Sequence, residues 1–182
     1  MSEHNVFPAA ELNQRLSNVR SQMVKANVDG VVITIPENIY YLTELDHWGF
    51  FACHLLVVPR EGAMILVCRA MERITIENQV KNARFFGHAD HEDPADYIVS
   101  SLSELNLLNS RIGMEKSSLF LTARLAESIQ AKTPKVEWHD TSNLVSALRM
   151  VKSPLEMEYV RKAAKAADAG MLAAINATRD GA

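Results

Sequence analysis

Residues 29–69 read DGVVITIPENIYYLTELDHWGFFACHLLVVPREGAMILVCR, and they contain three predicted strands. The β-branched run over residues 31–35 is typical of a buried strand, which Pro36 ends. Residues 37–42 are too few for a helix, and we expect them to turn the chain over an edge of the sheet. Two apolar runs then flank residues 60–62, which have the composition of a turn, and together they predict a hairpin of residues 51–59 and 63–69.

The same stretch holds both cysteines of the chain. If Val58 pairs with Ala63 across the hairpin, Cys53 faces Cys68 and the two thiols are neighbours. Two cysteines are too few for a disulfide framework, and disulfides are rare in reducing compartments. Two reduced core thiols are therefore favoured over a cross-strand disulfide.

Helical and extended patterns alternate along the rest of the chain. Apolar residues at helical spacing predict a helix over residues 8–26, before the first strand. Downstream, the patterns predict helices over residues 71–80, 94–105 and 119–131, and strands over residues 83–86, 111–114 and 136–138. This alternation predicts an α/β domain with a largely parallel or mixed β-sheet flanked by helices.

A further helix is expected to begin at Pro154. Ser153 and Glu156 have the spacing of a capping box, with proline at the first helical position. An apolar stripe then continues for about six turns, through Met157, Val160, Ala164, Ala167, Met171 and Ile175. A stripe of this length needs a surface to dock on, so we expect a domain boundary near residue 151 and a second domain of which only the first helix is included.

Composition excludes several classes of function. The 182 residues carry 19 Lys and Arg against 22 Asp and Glu, and this net charge of −3, without a basic cluster, disfavours nucleic acid as a ligand. No apolar run reaches the roughly 18 residues of a membrane span, and the N-terminus lacks the order of a signal peptide, so we expect a cytoplasmic protein that does not bind membranes. The glycines have none of the spacings of nucleotide-binding loops or of a nucleophile elbow.

Residues 88–93, HADHED, are rich in potential metal ligands. His88, Asp90 and His91 could hold a divalent ion. However, Asp93 followed by Pro94 is typical of the first residues of a helix. A solvated loop that leads into the helix over residues 94–105 is therefore the favoured interpretation.

Residues 44–51, ELDHWGFF, combine an acidic pair, a histidine and three aromatic residues between two structured segments. Such a mixture on a loop favours recognition of a small ligand or of a partner surface. The alternative is that Trp48, Phe50 and Phe51 cap the core at the edge of the sheet.

Four segments, in this order, resemble the creatinase/prolidase family of pita-bread hydrolases. They are DGVVI at residues 29–33, PENIYYLT at residues 36–43, the hairpin between residues 55 and 66, and LRMVKSPLEME at residues 148–158. The resemblance implies that residues 8–151 are a non-catalytic N-terminal accessory domain of mixed α/β fold. It implies that residues 152–182 begin a C-terminal pita-bread catalytic domain that is otherwise absent.

The resemblance also implies that the parent is a metal-dependent hydrolase such as an Xaa-Pro aminopeptidase, an Xaa-Pro dipeptidase or a creatinase. In this family two Asp, one His and two Glu of the catalytic domain bind two divalent metal ions, commonly Mn, Co, Zn or Fe. No position of this chain matches those ligands, so we expect neither a catalytic residue nor a metal ligand in it. Two other hypotheses stay open: a metal-free relative that binds peptides, and a relative that acts on a small metabolite.

Members of the family generally form homodimers in which the N-terminal domain of one subunit leans over the active site of the other. The loop after Tyr-Leu-Thr makes part of that contact and maps onto residues 44–51. The resemblance therefore implies that His47, Trp48 and Phe51 contact a peptide or small amide substrate across the dimer interface. Many members have Gly where this sequence has Glu44, so we expect this loop to turn differently.

Overall fold

A six-stranded sheet in the order β4-β3-β2-β1-β5-β6 lies at the centre of the fold. The computed structural model describes residues 6–181. The strands are β1 Gly30–Ile33, β2 Leu55–Pro59, β3 Met64–Arg69, β4 Ala83–His88, β5 Arg111–Met114 and β6 Glu137–Asp140. Strand β2 is antiparallel to both of its neighbours and all other adjacent strands are parallel. The predicted mixed sheet flanked by helices is confirmed.

Helices cover both faces of this sheet. They are α1 Ala9–Lys25, α2 Pro36–Thr43, α3 Arg73–Gln79, α4 Pro94–Glu104, α5 Ala123–Lys132 and α6 Leu144–Met150. A further helix, α7 Pro154–Ala177, follows them in the chain. Helices α1, α2, α3 and α6 enclose one core with Val31 of β1, whereas α4 and α5 enclose the other with Val32. No helix within residues 6–181 is both long enough and apolar enough to cross a membrane.

The chain divides into two compact units between Leu148 and Arg149. In the second unit, α7 begins with the predicted capping box. The Ser153 hydroxyl accepts the Glu156 N–H at 3.1 Å, and the Glu156 carboxylate accepts the Ser153 N–H at 2.7 Å. The larger side chains of its apolar stripe are exposed, among them Val160, Met171 and Ile175.

Residues 36–43 form helix α2, so the prediction of a non-helical crossing in this region is wrong. No side chain of the preceding residues caps this helix. Instead, the carboxylate of Glu115, which directly follows β5, accepts the N–H groups of Thr34 and Ile35 at 2.6 and 2.8 Å. Because this acceptor lies far away in the sequence, the local residue pattern contains no sign of it.

The hairpin of β2 and β3 is confirmed, but its predicted register is wrong by one residue. Val57 pairs with Ile65, whereas the prediction placed Val57 opposite Met64. Because side chains alternate between the faces of a strand, the shift separates the cysteines: Cys68 lies in the core on one face, and Cys53 packs against the core on the other. Both thiols are free, and burial raises the pKa of each to about 12, which keeps them protonated.

Candidate functional site

One edge of the sheet collects most of the segments that the sequence singles out. Since β2 alone runs in the opposite direction, its first residue lies beside the last residues of β1 and β3. The loop over residues 44–54, which precedes β2, therefore shares this edge with the segments that follow β3, β4 and β5. In open α/β sheets, ligands bind outside the carboxyl ends of the strands. We call this the carboxyl edge.

The loop presents two large aromatic side chains to solvent. Trp48 is 96% exposed and Phe51 is 82% exposed, so neither caps the core within the described residues. Phe50 does pack against the core on the α1 side, as the packing alternative expects for it. His47 lies underneath, with its side chain only 9% exposed. The sequence grouped His47 with Trp48 and Phe51 as contact residues, and the structure places its ring on the inner side of the loop.

Glu44 starts the loop in the left-handed conformation, with φ of 59°, a region that glycine occupies more readily than other residues. Its side chain is buried, and one carboxylate oxygen accepts the N–H groups of Val6 and Phe7, each at 2.7 Å. These charge-assisted hydrogen bonds offset the cost of the backbone conformation. They also tie the segment before α1 to the base of the loop, a role that the sequence gave no reason to expect.

A groove of about 680 Å³ lies beside Phe51. Its walls come from three segments of the carboxyl edge, and they include Phe51, Cys53, Asp93, Phe120, Arg124 and Leu125. Sequence reasoning missed Leu119 and Phe120 because it began a helix at residue 119. Thr122 caps α5 instead, accepting the Leu125 N–H at 3.3 Å, which leaves Leu119 in the preceding turn with 94% of its surface exposed.

Glu115 is the buried hub beneath this edge. Besides the two backbone amides before α2, its carboxylate accepts the Asn38 side-chain amide at 2.5 Å, and that amide also donates to Ser146 at 3.3 Å. Burial raises the pKa of the Glu115 carboxyl above its ordinary value, although the hydrogen bonds that it accepts act in the opposite direction. This network joins the ends of β1 and β5 to α2 and α6, and it gives Asn38 of the PENIYYLT segment a structural role.

Residues 88–93 act as a structural connection. Asp93 caps α4 by accepting the Ala95 N–H at 3.0 Å and also accepts Lys132 Nζ at 2.8 Å, so the predicted cap is confirmed. Asp90 forms a two-pronged ion pair with Arg69 at 2.7 and 2.8 Å, which lowers the pKa of the Asp90 carboxyl. Most of the acidic side chains of this segment therefore hold strands and helices together.

The sequence and fold together define the class of protein. A model of the creatinase/prolidase N-terminal domain matches residues 15–151. The chain therefore belongs to the creatinase/prolidase family, through its N-terminal domain.

Individual relatives agree with this assignment. The chain is 28% identical to an ectoine hydrolase from Halomonas elongata over 87% of its own length and 42% of the relative's. It is also 28% identical to a putative dipeptidase, YkvY, from Bacillus subtilis over 92% and 46% of the two lengths. A recombinant prolidase from Thermococcus sibiricus shares the fold, with a TM-score of 0.78 at 20% identity over 96% of this chain and 46% of that one. The chain spans less than half the length of these relatives.

The described residues do not fit a dinuclear metal site. Between residues 6 and 181, no group of three or more His, Cys, Asp or Glu side chains is arranged to hold a metal ion. His88, Asp90 and His91 share one segment, but Asp90 is bound to Arg69. No chemical step through a metal ion can therefore be derived from the side chains of this part of the chain.

Proposed function

We propose that residues 8–151 are the non-catalytic N-terminal domain of a dinuclear-metal hydrolase of the Xaa-Pro peptidase or creatinase type, where they act in dimerisation and substrate recognition. Residues 152–182 would be the start of the catalytic domain, whose ligands would bind two divalent ions, Mn, Co, Zn or Fe. The family membership and the names of the relatives support this proposal. We also propose a cytoplasmic location, where thiols such as those of Cys53 and Cys68 stay reduced.

The exposure of Trp48 and Phe51 is the observation that carries the role in recognition. A soluble chain does not gain stability by holding two large aromatic side chains in water, whereas aromatic residues are enriched where partners and ligands bind. Both side chains project from the carboxyl edge, and Phe51 also lines the groove. They are suited to cover a peptide or small amide bound by the partner subunit of a homodimer.

The proposal that residues 152–182 begin the catalytic domain is based on helix α7. The capping box fixes where this helix begins, and the apolar stripe down one side needs a complementary apolar surface. In our proposal the remainder of the catalytic domain of the same polypeptide supplies that surface.

The separation of recognition from catalysis is tested by assaying the 182-residue chain alone. With added Mn²⁺ or Co²⁺ we expect no hydrolysis of Xaa-Pro dipeptides or of creatine, because the described side chains provide no metal cluster. The whole protein under the same conditions is the positive control. Turnover that stays with the 182-residue chain through successive purification steps would contradict the proposal, as would a whole protein that binds these substrates without cleaving them.

A further inference from the structure

The inner side of the 44–51 loop is built around the imidazole of His47. The Gly49 N–H donates to His47 Nδ1 at 3.1 Å, and this hydrogen bond spans Trp48. A Cβ atom added to Gly49 would lie 2.3 Å from the ring atom Cε1 of His47, so the turn closes directly onto the imidazole and a larger residue would displace the ring. The position of Trp48 is therefore determined by the contact between its two neighbours.

A second acceptor lies close to the same nitrogen. Glu72, at the end of the turn that follows β3, places its Oε2 atom 3.5 Å from His47 Nδ1. An imidazole nitrogen accepts the Gly49 N–H only while it carries no proton. Once protonated, Nδ1 is a donor, so it can no longer accept the Gly49 N–H. It can instead donate to the Glu72 carboxylate. The two protonation states of Nδ1 thus favour two different partners.

We propose that His47 is the positioning residue of this loop, and that it holds Trp48 and Phe51 in place only while Nδ1 is unprotonated. This inference rests on the proposed function, since it assigns acid control to the same recognition surface. The root of the loop stays fixed in both states, because the Asp46 N–H donates to Gln79 Oε1 at 2.8 Å and Gln79 Nε2 donates to the Asp46 carbonyl at 3.0 Å. The release is therefore confined to the turn at residues 47–51.

The groups around His47 set the pH at which the loop is released. Glu72 from the turn after β3 and Asp46 from the loop itself favour the imidazolium, but burial outweighs them and lowers the pKa of His47 below its ordinary 6.5. The ring also contacts Phe50 and the His54 ring, with centroids 4.8 and 4.7 Å apart. His54 is held neutral at a pKa of about 4 by burial, with further lowering from His47, His88 and Arg69.

The direction of the pH dependence follows from the lowered pKa of His47. Well above pH 6.5, His47 is neutral whether the turn at residues 47–51 is closed or released, so the hydrogen bond from Gly49 favours the closed turn fully. As the pH falls through the lowered pKa, protons bind preferentially to the released loop, and the closed state is lost. His54 contributes only at still lower pH.

The experiment is an ¹⁵N relaxation measurement on the 182-residue chain, which reports the order parameters of the backbone amides of Trp48 and Gly49. At about pH 7.5 we expect order parameters near 0.85, and at about pH 5 values below about 0.6, while the β1 amides stay rigid. In His47→Asn the side-chain oxygen can replace Nδ1 as an acceptor that does not titrate, so the loop stays ordered at both pH values. In His47→Ala it is mobile at both.

His139→Asn, on β6, is the matched control, and the turn at residues 47–51 should lose order in acid in this variant as it does in the wild type. The wild-type chain also provides an internal test, because the Gly49 amide shift and the His47 imidazole shift should share one midpoint. Order parameters that do not change with pH, separate midpoints, or a His47→Asn loop that still loosens in acid would overturn the proposal. The measurement involves no substrate, so its failure would leave the role of the loop in recognition standing, and the failure of that role would leave the His47 result intact.

Discussion

Replacing Glu115 by alanine should lower the free energy of unfolding by about 3–4 kcal/mol. The substitution removes the acceptor for the Thr34 and Ile35 amides and for the Asn38 side chain. Each buried donor left without a partner costs about 1–3 kcal/mol. Domains of this kind are stabilised by only about 5–15 kcal/mol, so the loss would leave the fold marginal.

Urea unfolding followed by circular dichroism measures this effect, and two further variants make it specific. Glu115→Gln retains one acceptor oxygen and should fall between the wild type and the alanine variant. Glu127→Ala removes an exposed carboxylate from α5 and should change stability by less than about 0.5 kcal/mol. The account of Glu115 as a buried hub would be wrong if the Glu115→Ala and Glu127→Ala curves coincided.

The second large effect is expected in the kinetics of the whole protein. Removing both Trp48 and Phe51 should raise KM about 100-fold or more and leave kcat within about twofold, because the two side chains bind substrate without touching the reacting atoms. Burying one aromatic side chain contributes about 1.5–3 kcal/mol, and about 1.4 kcal/mol corresponds to a tenfold change in affinity. Since both side chains are exposed in this chain, their loss should leave its stability nearly unchanged.

The control for this prediction is Val24→Ala. Val24 is also an exposed apolar residue, but it lies near the end of α1, which leads to the start of β1 and thus to the opposite edge of the sheet. Initial rates over a range of substrate concentrations should show a wild-type KM for Val24→Ala and a raised KM for the Trp48→Ala, Phe51→Ala pair. A raised KM in both variants would indicate a general loss of structure, and an unchanged KM in the pair would remove these residues from recognition.

The elements that short-range physics determines could be predicted from the sequence. The start of α7 depends on groups within residues 153–156, and the cap of α4 depends on Asp93 and the residues directly after it, so their patterns are sufficient. The buried strands likewise follow from β-branched and apolar runs. These local signals account for the correct fold class and for most of the helices and strands.

The parts that the sequence could not provide depend on contacts between distant residues. Helix α2 is too short to be stable alone and forms where Glu115 accepts the amides before it. The predicted register of β2 and β3 is wrong by one residue, because both strands are apolar runs that fit either pairing. Composition singled out the loop over residues 44–51, but only three-dimensional packing shows that His47 lies inside while Trp48 and Phe51 lie outside.

Mixing two impaired forms of the whole protein tests whether the loop of one subunit serves the active site of the other. One form carries Trp48→Ala and Phe51→Ala with an intact catalytic domain, and the other keeps the loop but has its downstream metal ligands replaced. If the loop serves the active site of the neighbouring subunit, mixed dimers regain turnover with the wild-type KM, because each intact catalytic site then faces an intact loop. A mixture in which turnover keeps the raised KM of the loop variant would contradict the account.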